Sequence, residues 1–275
     1  MPDKETVGLL EQKARILRRL VIETIYRAQS GHPGGSLSLA DIMAALYFHE
    51  LRVDPQNPKS PQRDRMILSK GHAAPVWYCA LAEAGFFPHS ELEHLRKIDS
   101  LLQGHPCLSI PGVDLTTGSL GLGLSGGVGI AIGAKMRGSS ARTYVILGDG
   151  ELDEGQVWEA AMAAAHFKLD NLTAILDRNR FQNDGSTSEA METEPLSDKW
   201  HSFGWNVVEI DGHSIPSILG AFDIARATKG KPTMILAHTI KGKGVSYLID
   251  KPELHYTPPN SEQYRAAMEE LEASS

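Results

Sequence analysis

Cysteine is nearly absent from this sequence: Cys79 and Cys107 are the only two in 275 residues, and they share no ligand-like spacing. That excludes a disulfide framework or a cysteine-built zinc centre, and both thiols read as reduced and structural. Also missing is any uninterrupted apolar run of the ~20 residues that a membrane-spanning helix needs. The amino-terminal stretch MPDKETVGLLEQKARILRRL mixes acids and bases and lacks the apolar core of a signal peptide, so a cytoplasmic protein is expected. A basic excess is absent as well, since the formal net charge is −7, which argues against a nucleic-acid footprint. Neither repeats nor low-complexity linkers interrupt the chain.

What remains is a chain with 41% hydrophobic residues, enough to bury a full core. The pattern predicts one α/β domain over residues 1–275, a three-layer sandwich with a mainly parallel sheet and helices on both faces. A short amphipathic helical tail is expected from about residue 261.

The organising stretch runs from Thr143 to Gly185. Thr143 to Leu147 is uncharged, β-branched and apolar, as a strand buried on both faces of a parallel sheet requires. It stops at Gly148-Asp149-Gly150, where two residues without a Cβ permit a tight turn and a close approach to a ligand. Val157, Trp158, Ala161, Ala164 and Ala165 then recur at helical spacing, and Leu172 to Leu176 reads as the next parallel strand. Asp149 and Asn179 therefore project from one sheet edge, the carboxyl end at which open α/β sheets bind ligands. A carboxylate and an amide oxygen, with a backbone carbonyl, make a hard and incomplete shell. It suits Mg2+, with Ca2+ also possible, completed by water and phosphate oxygens.

Gly-Asp-Gly followed thirty residues later by asparagine resembles the diphosphate motif of thiamine-diphosphate enzymes, and the surrounding residues resemble the amino-terminal region of transketolase. The resemblance covers nearly the whole chain. It implies that Asp149, Asn179 and the carbonyl of Phe181 bind the metal, with Gly150 and Glu151 beside them in the cofactor-binding set. Ser30-Gly31-His32-Pro33-Gly34-Gly35 resembles the motif whose histidine faces the sugar. By the same resemblance His72 lies against the cofactor diphosphate, and His105 beside the donor's first carbons. Gly118 and Leu120 belong to the loop lining the aminopyrimidine ring, with Ser119 where proline is usual. His255 resembles the last active-site histidine, although Tyr256 stands where glycine is expected. Glu154 matches the glutamate that couples two cofactor sites across a dimer interface. Histidine suits such work because imidazole donates, accepts or carries charge near neutral pH.

Several residues also have plainer readings. Ser38 is expected to cap a helix running through Phe48, and helices are expected over Pro75 to Gly85 and His89 to Ile98. Glu151, Asp153 and Glu154 sit at a helix amino end, where the dipole favours carboxylates. His213 reads as structural. Lys241-Gly242-Lys243-Gly244 reads as a flexible basic loop, either a solvated turn or a lid over phosphates. Asn183-Asp184-Gly185 and the polar residues to Glu194 read as a loop that is mobile without ligand.

In transketolases a second domain supplies the glutamate that touches the pyrimidine ring and the groups that read the sugar phosphate. No sheet-forming sequence follows Ser246 here. The resemblance therefore implies the diphosphate-binding subunit of a split transketolase. A separate carboxy-terminal chain with the pyrimidine-binding domain is then the partner, in an α2β2 heterotetramer acting on sugar phosphates. A 1-deoxyxylulose-phosphate-synthase-like enzyme, a 2-oxoacid dehydrogenase α-type subunit and a non-catalytic homologue remain alternatives.

Overall fold

The protein is seen in a computed structural model that describes residues 2–183 and 185–273. Asp184, part of the expected mobile loop, lies outside the described residues. The helices are α1 (Lys4–Ala28), α2 (Pro33–Leu37), α3 (Ala40–Ala45), α4 (Ala74–Glu83), α5 (Leu122–Met136), α6 (Gly155–His166), α7 (Thr187–Ala190), α8 (Leu196–Ser202), α9 (Ile215–Ala227) and α10 (Ser261–Ala273). Five strands, β1 (Arg65–Leu68), β2 (Thr143–Gly148), β3 (Leu172–Arg178), β4 (Asn206–Asp211) and β5 (Thr233–His238), form one sheet in the order β1-β2-β3-β5-β4. Every pairing is parallel.

Alternation along the central strands feeds two apolar layers. Tyr144 and Ile146 join the layer containing α1, α3, α4 and α9, while Val145 and Leu147 join that of α5, α6 and α8. β2 is buried throughout, which is why it reads as a continuous apolar run rather than as polar alternation. The edge strand β4 is only half covered. Helix α1 starts where the Asp3 side chain accepts from the Thr6 amide at 2.7 Å. Its inner face buries Leu10, Leu17, Val21, Ile22 and Ile25, each worth about 1.5–3 kcal/mol once removed from water. The second layer carries an aromatic group: Trp158 lies 5.3 Å from Trp200, and Trp200 lies 5.0 Å edge-on from Trp205.

Three local expectations need correction. Ser38 does not cap a long helix. It is buried, and its hydroxyl donates to Asp177 at 2.7 Å, because Pro33 opens the separate short helix α2 first. His89 to His94 forms only 3-10 turns, and the polar residues before Glu194 include the helical turn α7.

Candidate functional site

The parallel topology brings the exits of β1, β2, β3 and β5 to one edge, and a cavity of about 300 Å³ opens there. Asp149 and Asn179 both line it, as do Phe181, Glu151, His32, His72, His105 and His255. Gly118, Leu120 and Gly150 complete the predicted residues on its wall. Glu154 stands apart, exposed on the single chain with its Cβ beside Gly121.

Backbone amides fix the acidic rim. Asp149 accepts from the amides of Gly150, at 3.1 Å, and Arg180, while the Asn179 side-chain oxygen accepts from the Phe181 amide at 3.1 Å. Asp149 is 3% and Asn179 7% exposed. Burial, with the Asp177 carboxylate nearby, pushes the Asp149 carboxyl up to about 7. Burial at the rim thus disfavours the charged carboxylate, and the neighbouring Asp177 adds to that. Asp149 and Asn179 are hard oxygen donors with lone pairs to spare, so these residues fit a Mg2+ or Ca2+ ion better than a soft metal. A Cβ on Gly150 would come within 2.6 Å of Gln182, so the turn leaves no room for a side chain.

Behind the rim lies an ion pair that the sequence pattern does not announce. Lys70 leaves β1, passes across β2 and reaches Asp177 at the end of β3, where its ammonium is bonded to the carboxylate. Gly148 eases this passage: a Cβ there would sit 3.3 Å from the Lys70 stem, closer than ordinary contact. Burial alone would raise the Asp177 carboxyl, but Lys70, Thr239 and Ser38 together hold it below its usual value. The Asn179 amide also donates to Asp177, at 3.1 Å, which turns its oxygen toward the Phe181 amide.

Glu151 is likewise more than a favourable charge at a helix start. It is buried, accepts from Ser69 and from the amides of Gly121 at 2.8 Å and Gly148 at 3.1 Å, and so ties three loops of the cavity together. Lys241 is no solvated turn. It is 2% exposed, its ammonium stands 5.8 Å from the Phe181 ring, and burial draws it down to about 8. Gly242 and Gly244, at φ of +79° and +92°, fold the loop so that this lysine points inward. His213 is structural as expected: it bonds Asp41 at 2.7 Å and accepts from the Ile240 amide at 2.9 Å.

His32, His72 and His255 form a triangle with ring centroids 5.0 to 5.3 Å apart. His105 packs beside Gly118. His32 is half-buried rather than in an exposed bend, because α2 turns inward immediately after it. Burial, followed by the charges of His255 and Arg96, takes the His32 imidazole down to about 3. Burial and the Lys70 charge keep His72 well below the usual range, and burial and Arg96 lower His105. These rings are therefore neutral near pH 7 and offer one donor and one acceptor each. In the unfolded chain His32 gains its proton below about pH 6.5, but in the folded chain only near pH 3. Its share of stability is present above pH 6.5 and is lost as pH falls, by at most about 1.4 kcal/mol per pH unit. Urea midpoints between pH 7.5 and 5 should fall less steeply for His32→Asn; an unchanged slope disproves the assignment.

The parallel five-stranded sheet with its cavity at the carboxyl edge makes the chain an α/β domain of the open-sheet, ligand-binding kind. The family model "Transketolase, thiamine diphosphate binding domain" matches residues 10–273, and the chain belongs to that family. It is 43% identical over 265 residues to an apulose-4-phosphate transketolase subunit from Phocaeicola vulgatus, covering 96% of this chain and 94% of that protein. The 6-deoxy-6-sulfo-D-fructose transketolase subunit of Clostridium sp. is 46% identical over 264 residues, with 96% of each chain covered. Human transketolase is 43% identical, with 94% of this chain but 41% of the human protein covered. Among solved structures, Campylobacter jejuni transketolase superposes with a TM-score of 0.92 at 33% identity, over 97% of this chain and 43% of that one.

Proposed function

We propose that this chain is the diphosphate-binding subunit of a two-chain transketolase, moving a two-carbon ketol unit between sugar phosphates with thiamine diphosphate and a divalent metal. One observation carries the reading: the Asp149–Asn179 rim and all four predicted histidines face a single cavity at the sheet edge. Near-complete coverage of relatives called transketolase subunits supports a separate partner chain bearing the pyrimidine-binding half. The family match favours ketol transfer over the synthase and dehydrogenase alternatives.

Thiamine diphosphate, when bound, supplies the electron sink for carbanion chemistry. The chain's own residues do the rest. Asp149, Asn179 and the Phe181 carbonyl hold the ion and thereby the diphosphate, and Lys241 adds positive charge on the same side. His32, His72 and His105, kept neutral by burial, bond the hydroxyl and carbonyl oxygens of a sugar, with His255 beside them. Glu154 is exposed on the single chain, which counts against its coupling role unless a neighbouring protomer covers it in the assembly.

Co-expression with a candidate pyrimidine-domain chain tests the proposal. Ketol transfer should appear only with both chains, thiamine diphosphate and Mg2+ present, from an assembly of two copies of each chain in the cytoplasm. Full activity from this polypeptide alone refutes the split arrangement. Failure of the assembled pair to bind thiamine diphosphate makes the chain a non-catalytic homologue.

A further inference from the structure

Lys241 stands where a lysine on a glycine-rich loop has least reason to stay. It lines the cavity with Asp149 but is buried, and among the described residues it forms no ion pair. One ammonium proton reaches the Gln182 carbonyl, at 3.4 Å. A buried ammonium with protons to spare gains by swinging out to water, so its loop has to be tied down. On one side the Gly242 amide donates to the Gly34 carbonyl at 3.1 Å, and the Lys241 stem crosses Gly34 so closely that a Cβ there would lie 3.0 Å from it. On the other side the Thr239 hydroxyl donates to Asp177. Between them the Ile240 amide, next to Lys241 itself, donates to Nε2 of His213 at 2.9 Å.

His213 stands off the cavity wall, in the loop between β4 and α9, and is itself held from behind. Its Nδ1 is 2.7 Å from Asp41 in α3, and Arg18 of α1 bonds both oxygens of that carboxylate, at 3.2 Å to Oδ1. Asp41 and Arg18 are both buried. A backbone N–H can only donate, so Nε2 is the bare nitrogen and Nδ1 carries its proton toward Asp41. Arg18 already answers the charge of Asp41, so the imidazole has no call for a second proton, which would set an N–H against the Ile240 N–H. We infer that His213, oriented by Asp41 and Arg18, is a positioning residue for Lys241. It fixes the loop so that the ammonium faces the cavity before any diphosphate arrives. The cofactor then meets a preformed cation instead of having to order one, which strengthens its binding.

The inference deepens the proposed function and rests on it for its affinity test alone. In calorimetry on the assembled enzyme with Mg2+, His213→Ala should weaken thiamine diphosphate binding about tenfold. His213→Gln, whose amide oxygen can accept from Ile240 in place of Nε2, should recover part of that loss. Because the effect passes through the lysine, His213→Ala should cost nothing further in a Lys241→Met background. Equal losses in the two backgrounds overturn the inference. A second arm needs neither cofactor nor activity: reductive methylation of the full chain, read peptide by peptide by mass spectrometry. Lys241 should react slowly in the parent and roughly fivefold faster in His213→Ala, where its loop opens locally. Lys70, buried and bonded to Asp177, should keep its parental rate. An unchanged Lys241 rate, or equal acceleration at both lysines, sinks the positioning role. If the assembled pair binds no thiamine diphosphate, the functional reading falls and the methylation result alone decides the inference.

Discussion

Asp149→Ala is expected to abolish Mg2+-dependent binding of thiamine diphosphate, lowering affinity by at least a hundredfold in calorimetry on the assembled enzyme. Asp149 is the only charged member of the Asp149, Asn179 and Phe181 donor set, and its loss leaves two neutral oxygens that cannot compete with water for a divalent ion. The fold should survive, because the substitution also removes a buried carboxyl that its surroundings push up to about 7. The apo variant should therefore melt close to the parent while failing to gain stability from cofactor and Mg2+. Asn179→Ala should weaken binding less, since it removes a neutral ligand. Undiminished cofactor affinity in Asp149→Ala would show that the metal is held elsewhere.

The opposite behaviour is expected of Asp177→Ala, which should damage the fold before it damages binding. Asp177 is fully buried and bonded to Lys70, Ser38, Thr239 and Asn179. Without it the buried Lys70 ammonium keeps, among the described residues, only the Gly35 carbonyl, at 3.1 Å. Stranding a buried charge costs about 3–5 kcal/mol, against a total of roughly 5–15 kcal/mol for a typical native protein. Urea denaturation should register that loss. The double variant Lys70→Met with Asp177→Leu should regain much of it, because the uncompensated charge has gone. If the single variant unfolds at the parental urea midpoint, the pair is not a structural tie.

How much of this is legible in the sequence follows from which interactions are local. β2 and β3 show as uncharged runs, whose limits lie within two residues of the observed strands. The Gly148-Asp149-Gly150 turn and Asn179 occupy the exits of neighbouring strands, so spacing alone puts them on one rim. The histidines are reached through the resemblance, and the cavity gathers all four. What stays hidden is pairing across long stretches of chain. Lys70 and Asp177 are 107 residues apart, and nothing local marks them as partners. The apolar run from Leu172 to Leu176 stops one residue before Asp177, because a charge there looks like the end of a buried strand. Lys241 is concealed for a similar reason: a lysine among glycines resembles a solvated turn until two positive-φ glycines fold it inward.

The aromatic group of the second layer bears on how these experiments can be followed. Three of the four tryptophans, Trp158, Trp200 and Trp205, stand together there, and the fourth, Trp77, is buried in the opposite layer with its indole bonded to Tyr47. None of them lines the cavity. Intrinsic emission will report melting of the α6 and α8 side of the sheet with little interference from ligand, so one optical signal can track unfolding while calorimetry follows occupancy.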